Sequence, residues 1–293
     1  SNFGEMERLS AIASPTSAVV TNIGISHIEQ LKTQENIRAE KLHIADTIGE
    51  QGALYLNGDD PMLQQLRESY TGKIVWYGME SDCDYRAVNI DTVKDCTRFE
   101  LHAPFGAHKI MIPALGLHNV SNALAAIAVA YDQGLTLDDI RCGLLTYEGL
   151  AMRQQIHELD KITVIDDSYN ASPDSIKSGI GVLMAVKSTG KKIAVLADML
   201  ELGERSAQAH LELGAYAAAS GVDAVVTVGR EAEKIAEGAA EESRKILVKA
   251  CGTNDEAFAE LEKILNDGDC VLVKGSRGMH TDEIVQKLLT KYQ

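Results

Sequence analysis

The chain has 293 residues, 45% of them hydrophobic, and a formal net charge of -15 at pH 7. That length suits two medium domains with real cores, and the acidic balance excludes a nucleic-acid backbone as partner, because phosphates are met by basic patches. No apolar run nears the roughly 20 residues of a spanning helix and no secretory signal pattern opens the chain, so no membrane span and a cytoplasmic location are expected. Five scattered cysteines without a C-x-x-C pair fit reduced thiols rather than a disulfide framework or structural zinc.

Residues 1–14 read as a helix carrying Met6, Leu9, Ile12 and Ala13 that stops at Pro15. Ala18 to Gly24 follows as a short buried strand running into a turn, with His27 just beyond it. Residues 33–48 have helical spacing through Ile37, Leu42, Ile44, Ala45 and Ile48, enclose Lys41, and end at Gly49. Residues 53–56 make a strand, Asn57 to Pro61 a turn before another helix, and residues 73–77 a further strand. From Asp84 to Pro113 short alternating runs separated by Gly and Pro predict a small antiparallel sheet, an excursion from the α/β layer. Gly116 to Asn122 opens an Ala-rich helix through Ala130, and a second helix leads from about Leu137 to Tyr147.

Beyond Gly149 strands near Ile162, Ile193, Ala224, Ile246 and Cys270 alternate with helices, which indicates mostly parallel pairing with right-handed crossovers. The fold class is therefore α/β in both halves. Residues 1–150 carry a parallel sheet plus a small antiparallel sheet, and residues 151–293 form a Rossmann-like domain.

The chemistry concentrates at strand ends. In Ile162 to Ser175 a β-branched run ends in Asp166 and Asp167, passes Tyr169 and Asn170, and enters a helix at Pro173, whose missing N–H costs nothing in a first turn. Ligands of open α/β sheets bind beyond such strand ends. An ordinary turn with an Asp cap is the plain alternative, but two acids, a Tyr and an Asn exceed what capping needs. Arg153 lies just before this stretch and offers a planar fork for phosphate, or else a surface ion pair. Asn22 and His27 at a strand end, with Lys41 one helix later, suit a hard cation or a phosphate oxygen, or else a core-edge histidine and a solvated lysine. His118, Asn119 and Asn122 crowd a helix start, where amides favour anions and side-chain amides can read a purine, unless Asn119 or Ser121 merely caps. Lys274, Ser276 and Arg277 follow a buried strand in a Gly-bounded turn suited to a carboxylate. Asp198, with the acids up to Glu204 and His210 beyond, could hold an ammonium group or be solvated loop acids.

Together with Asn2 to Met6, Ala39-Glu40-Lys41 and Ala151-Met152-Arg153, these stretches resemble the Mur ligases from end to end. Aspartate, tyrosine and asparagine at Asp167, Tyr169 and Asn170 are similar to the branch that adds D-alanyl-D-alanine. The resemblance implies part of a central ATPase domain over residues 1–150 and a C-terminal ligase domain over 151–293. It implies ATP and Mg2+ as cofactors, and peptide-bond formation in peptidoglycan synthesis between UDP-N-acetylmuramoyl-tripeptide and D-alanyl-D-alanine through an acyl phosphate. By the same likeness His27 would contact magnesium with Asn22 at hand, Lys41 would be a carbamylated metal ligand, and His118, Asn119 and Asn122 would meet adenine. Arg153 would take the phosphates; Asp167, Tyr169 and Asn170 the ribose side; and Asp198, Lys274, Ser276 and Arg277 the incoming dipeptide.

This sequence departs from the family pattern in two ways. It has no G-x-x-x-x-G-K-[ST] loop, and His43 stands where the family has a glutamate. The 293 residues alone are therefore expected to be inactive, with an incomplete first sheet whose exposed edge invites self-association. The competing readings are a truncated homologue serving as a non-catalytic nucleotide- or peptide-binding module, and a dinucleotide oxidoreductase, which the absence of G-x-G-x-x-G disfavours.

Overall fold

The computed structural model describes residues 2–80 and 82–293, so Ser1, expected at the head of the first helix, lies outside the described residues. The chain divides into two compact units, Ser1–Glu148 and Gly149–Gln293. Among the described residues no helix is long and apolar enough to cross a membrane.

The first unit runs α1 (Glu5–Ala13), β1 (Ala18–Val20), α2 (Ile28–Leu31), α3 (Gln34–Leu42), β2 (Leu54–Asn57), α4 (Pro61–Gln64), β3 (Ile74–Gly78), β4 (Tyr85–Val93), β5 (Cys96–Ala103), β6 (Gly106–Ile112), α5 (Leu117–Asp132) and α6 (Leu137–Leu145). Its six strands form one sheet in chain order, with β1 at an edge. The first three pair in parallel, and β4 to β6 form the antiparallel ribbon expected from the alternating runs. That ribbon is continuous with the parallel strands, because β3 and β4 pair at Tyr77↔Tyr85 and Gly78↔Arg86. Side chains alternate across the sheet: Tyr55, Val75 and Tyr77 pack under α5, while Leu54, Leu56 and Trp76 pack with Ile28, Leu31 and Ile37.

Local chemistry sets the helix ends. Thr33 caps α3 by accepting from Asn36 N–H, and the α-helix stops at Leu42, where a 3-10 turn over His43–Ala45 replaces the longer helix expected to Ile48. Asp60 caps α4, with Pro61 in its first turn. Glu40, 7% exposed, accepts from Gly4 N–H at 3.0 Å and Met6 N–H at 2.8 Å and so supplies the cap that α1 lacks locally. Burial pushes its carboxyl up, but the two backbone donors outweigh burial and hold it below the ordinary 4.5.

The second unit runs β7 (Gln155–Glu158), β8 (Thr163–Asp167), α7 (Pro173–Ala185), β9 (Lys192–Ala197), α8 (Ser206–Ala219), β10 (Ala224–Val228), α9 (Glu233–Glu242), β11 (Leu247–Cys251), α10 (Asn254–Ile264), β12 (Cys270–Lys274) and α11 (Asp282–Tyr292). The sheet order is β11-β10-β9-β12-β8-β7. All pairings are parallel except that of β7 with β8. Val164, Val195, Val226 and Val271 share a core with Ala257 and Leu261 of α10 and with Ile284 and Leu288 of α11. Helices α7, α8 and α9 pack on one another to make the other layer. The α8–α9 contact is close: a Cβ on Gly214 would lie 2.0 Å from Ile235 O, and one on Gly238 2.0 Å from Leu211 O.

This topology places the site. Strands β8 and β12 lie side by side, yet the chain leaving β8 climbs to α7 in one helical layer and the chain leaving β12 enters α11 in the other. Where neighbouring parallel strands send their connections to opposite faces, a crevice opens at their carboxyl ends.

Candidate functional site

At the end of β8 the Asp166 carboxylate accepts from Ser168 N–H at 3.1 Å and from Ser168 Oγ at 2.5 Å, which turns the chain and lifts Tyr169 and Asn170 into the open. Ser172 and Ser175 then cap α7 reciprocally around Pro173. Tyr169 is 45% exposed, and the Arg153 guanidinium lies over its ring at 4.2 Å from the centroid. Tyr169 N–H also donates to Met152 O at 3.1 Å. The structure thus unites Arg153 and Tyr169 in a cation–π stack, a flat cationic surface on an aromatic support suited to a phosphorylated ligand. Arg277 joins the same corner: its Nη1 lies 3.2 Å from Asp282 Oδ1 and 3.8 Å from Met152 Sδ. Asn170 is exposed and its Oδ1 accepts from Ala171 N–H at 2.9 Å.

Two residues expected to face ligand are turned inward instead. Lys274, 3% exposed, places Nζ 2.8 Å from Asp167 Oδ2 and donates to Asn170 O at 2.9 Å. Asp167 is buried with it, and Gln154 nearby helps to hold the carboxylate in its charged form. Burial pushes the Asp167 carboxyl up and the Lys274 ammonium down from their ordinary values, and each charge opposes the other's shift. Neither side chain is presented to ribose or dipeptide in this conformation. The sequence shows two charges at strand ends; that they neutralise one another depends on β8 and β12 being neighbours.

Asp198 and Ser276 are internal for a similar reason. Asp198 Oδ1 accepts from Ala232 N–H at 2.7 Å, and its carbonyl accepts from Ser276 N–H at 3.2 Å. Ser276 Oγ accepts from Leu200 N–H at 2.9 Å. His210 is buried, its Nε2 accepting from Met199 N–H at 3.0 Å and its Nδ1 donating to Ser206 O at 2.7 Å. These side chains brace the loop after β9, and Asp198 is not placed to hold a substrate ammonium.

In the first unit, the loop after β1 is tied on several sides. Lys41 Nζ donates to Asn22 O at 2.9 Å, Gln34 Nε2 to Ile23 O at 3.1 Å, and Asn57 Nδ2 to Thr21 O at 3.0 Å. Asp60 accepts from Ile23 N–H at 2.7 Å with one oxygen while the other caps α4. The sequence reading took Asp60 only as a turn residue, although an Asp directly before Pro at a helix start signals a cap. His27 sits in a left-handed conformation (φ 64°) before α2. Burial pushes the Lys41 ammonium below its ordinary 10.5, with Asp60 opposing.

Magnesium asks for several oxygen ligands in a tight octahedron. Among the described residues no group of three His, Cys, Asp or Glu stands together, and Lys41 as an ammonium is a donor, not a ligand. Holding magnesium through His27 and Lys41 would therefore need the lysine carbamylated and further oxygens from nucleotide phosphates and water.

Helix α5 starts at Leu117 with Gly116 at the cap and no side-chain cap bond, so Asn119 and Ser121 are not caps. Asn119 lies in the first turn and its Nδ2 donates to Leu115 O at 2.8 Å; His118 is half-buried and Asn122 exposed. His43, at the position noted for its departure, has Nδ1 2.7 Å from Asp46 Oδ2. Its bond to Asp46 raises the imidazole above the ordinary 6.5. The stabilisation from this pair is therefore complete below pH 6.5 and is lost as pH rises through the raised folded value. A proton NMR titration is expected to show the His43 midpoint above 6.5, and Asp46→Asn to bring it back; an unchanged midpoint in the variant would contradict the assigned cause.

Comparison with known proteins gives two family matches: residues 1–130 match the Mur ligase middle domain, and residues 152–277 match the Mur ligase glutamate ligase domain. A Bacillus subtilis protein named "UDP-N-acetylmuramoyl-tripeptide--D-alanyl-D-alanine ligase" is 36% identical over 287 residues, 98% of this chain and 62% of that protein. Its namesake from Escherichia coli is 28% identical over 97% of this chain and 62% of its own length. Among solved structures, MurF from Acinetobacter baumannii superposes with a TM-score of 0.90 at 31% identity, covering 99% of this chain and 63% of that one. MurF ligase from Thermotoga maritima in complex with ADP gives 0.86 at 27%, covering 99% and 65%. The chain thus spans a little under two thirds of the length of the relatives it matches.

Proposed function

The chain belongs to the Mur ligase family, and from that premise we propose that its second unit presents the phosphate- and amine-facing surface of an ATP-dependent ligase that joins D-alanyl-D-alanine to UDP-N-acetylmuramoyl-tripeptide. The observation that carries the reading is the Arg153–Tyr169 stack beside Arg277 at the carboxyl ends of β8 and β12. The tripeptide carboxylate attacks the γ-phosphorus of ATP, ADP leaves, the dipeptide amine attacks the acyl carbon, and phosphate departs as the amine loses its proton. Arg153 takes the phosphates, with Tyr169 and Asn170 toward the ribose, and Arg277 takes the dipeptide carboxylate. His118, Asn119 and Asn122 at the start of α5 take adenine. Reaching the loop of Asn22 and His27 from α3, Lys41 is the amine that carbamylation would convert to an oxygen ligand; its depressed basicity favours the neutral amine that such a reaction needs.

The 293 residues contain no phosphate-cradling loop of the G-K-[ST] type, so the chain is expected to bind nucleotide without ligating. The margin of β1, three residues with Val19 exposed, is the edge along which a second copy would add a strand. The test is a calorimetric titration of the chain with MgATP and, in parallel, with NAD. ATP binding that Arg153→Ala weakens tenfold or more supports the reading; NAD binding in preference to ATP, or ATP binding indifferent to Arg153, overturns it.

A further inference from the structure

We propose that Lys274 and Asp167 form a buried positioning pair that fixes the Arg153–Tyr169 stack from beneath, so that Lys274 serves the ligand-facing surface without touching ligand. What the surface binds rests on the function proposed above; the positioning itself does not. Three observations converge on the pair.

First, it laces two short segments together. Lys274 Nζ reaches both Asp167 Oδ2 at 2.8 Å and Asn170 O at 2.9 Å, which holds the loop carrying Tyr169. Gln154, the neighbour of Arg153, lies close enough to the Asp167 carboxylate to help hold it in its charged form. Tyr169 N–H to Met152 O completes the lacing. Second, Arg153 is flanked by two left-handed non-glycine residues, Met152 at φ 61° and Gln154 at φ 56°. Such backbone persists only where its surroundings over-determine it, and the buried Asp167 carboxylate is a group that Gln154 meets at this turn. Third, α7 makes room for the pair: a Cβ on Gly179 would lie 3.2 Å from Asp167 Oδ2 and 3.5 Å from Lys274 Cδ. A buried ion pair is seldom retained for stability, since apolar side chains of like volume do as well. Its directional contacts set geometry, and here all of them lead to the stack.

The experiment is a 15N TROSY spectrum of the whole chain without nucleotide. The Arg153 Nε–H resonance, assigned by its loss in Arg153→Lys, is expected upfield of the free arginine position because of the Tyr169 ring current, and to return there in Tyr169→Leu. Because Lys274→Met alone strands a buried carboxylate, the decisive variant is Asp167→Asn with Lys274→Met. It is expected to keep the native circular dichroism, to move the Arg153 resonance most of the way to the Tyr169→Leu position, and to weaken ATP binding tenfold or more. Should the double variant not fold, Gln154→Ala, which cuts one tether and leaves the pair, is expected to move the resonance in the same direction. An Arg153 resonance unmoved in the folded variant tested overturns the proposal, whether or not ATP binding weakens. A wild-type chain that shows the ring-current shift yet ignores ATP would overturn the proposed function and leave the positioning role standing.

Discussion

Gly238→Ala is expected to destabilise the second unit by about 3 kcal/mol, the upper end of the cost of overpacking, although alanine is the better helix former by about 1 kcal/mol. The new Cβ would lie 2.0 Å from Leu211 O and 2.9 Å from Leu211 C. Both are backbone atoms of α8, so no rotamer change relieves the clash and the helices must part. Gly214→Ala is expected to behave alike, because its Cβ would meet Ile235 O at 2.0 Å and Ala239 N at 2.7 Å of the facing helix. The control is Gly181→Ala in the exposed part of α7, where nothing lies within 4 Å; there the gain should be about 0.4–1 kcal/mol. Urea unfolding followed by far-UV circular dichroism separates the two cases. If Gly238→Ala and Gly181→Ala moved the midpoint in the same direction, the close α8–α9 contact would not be a determinant of stability.

The second large effect concerns the pair beneath the Arg153–Tyr169 stack. Lys274→Met removes a buried cation whose partner, Asp167, stays in the core, and breaking such a pair from one side costs about 3–5 kcal/mol. Removing both charges in Asp167→Asn with Lys274→Met should recover more than half of that loss, since the desolvation cost of two ions disappears together. Hydrogen exchange at the amides of β8 and β12 reads the loss where it arises. Additive penalties in the double variant would show that the two groups do not interact, against the 2.8 Å separation.

These two cases mark where the sequence speaks and where it stops. The run from Ile162 to Ser175 announces a strand, a turn and a helix because Pro173 and the flanking serines are local devices, and α7 starts at Pro173. The alternation of residues 84–113 is equally local, but its attachment to β3 is not, and the ribbon proves continuous with the parallel strands. Strand β7 escaped the sequence reading because Gln155-Ile156-His157-Glu158 is too polar to stand out; it exists because β8 offers it an antiparallel edge. At the candidate site, residue types grouped Arg153 with Tyr169, and the two side chains do meet. They could not separate groups that face solvent from groups that satisfy one another. Asp167, Asp198, Lys274 and Ser276 have polar side chains at strand ends, as a ligand site requires, and all four are buried against protein partners. That distinction lies in which strands are neighbours, which no local pattern encodes.

Removal of the first thirteen residues would do more than shorten the chain. Without Gly4 and Met6 as donors, the Glu40 carboxyl would lose the bonds that hold it below its ordinary 4.5 and would rise toward that value. The opening helix thus sets the acidity of a carboxyl on a later stretch of the chain.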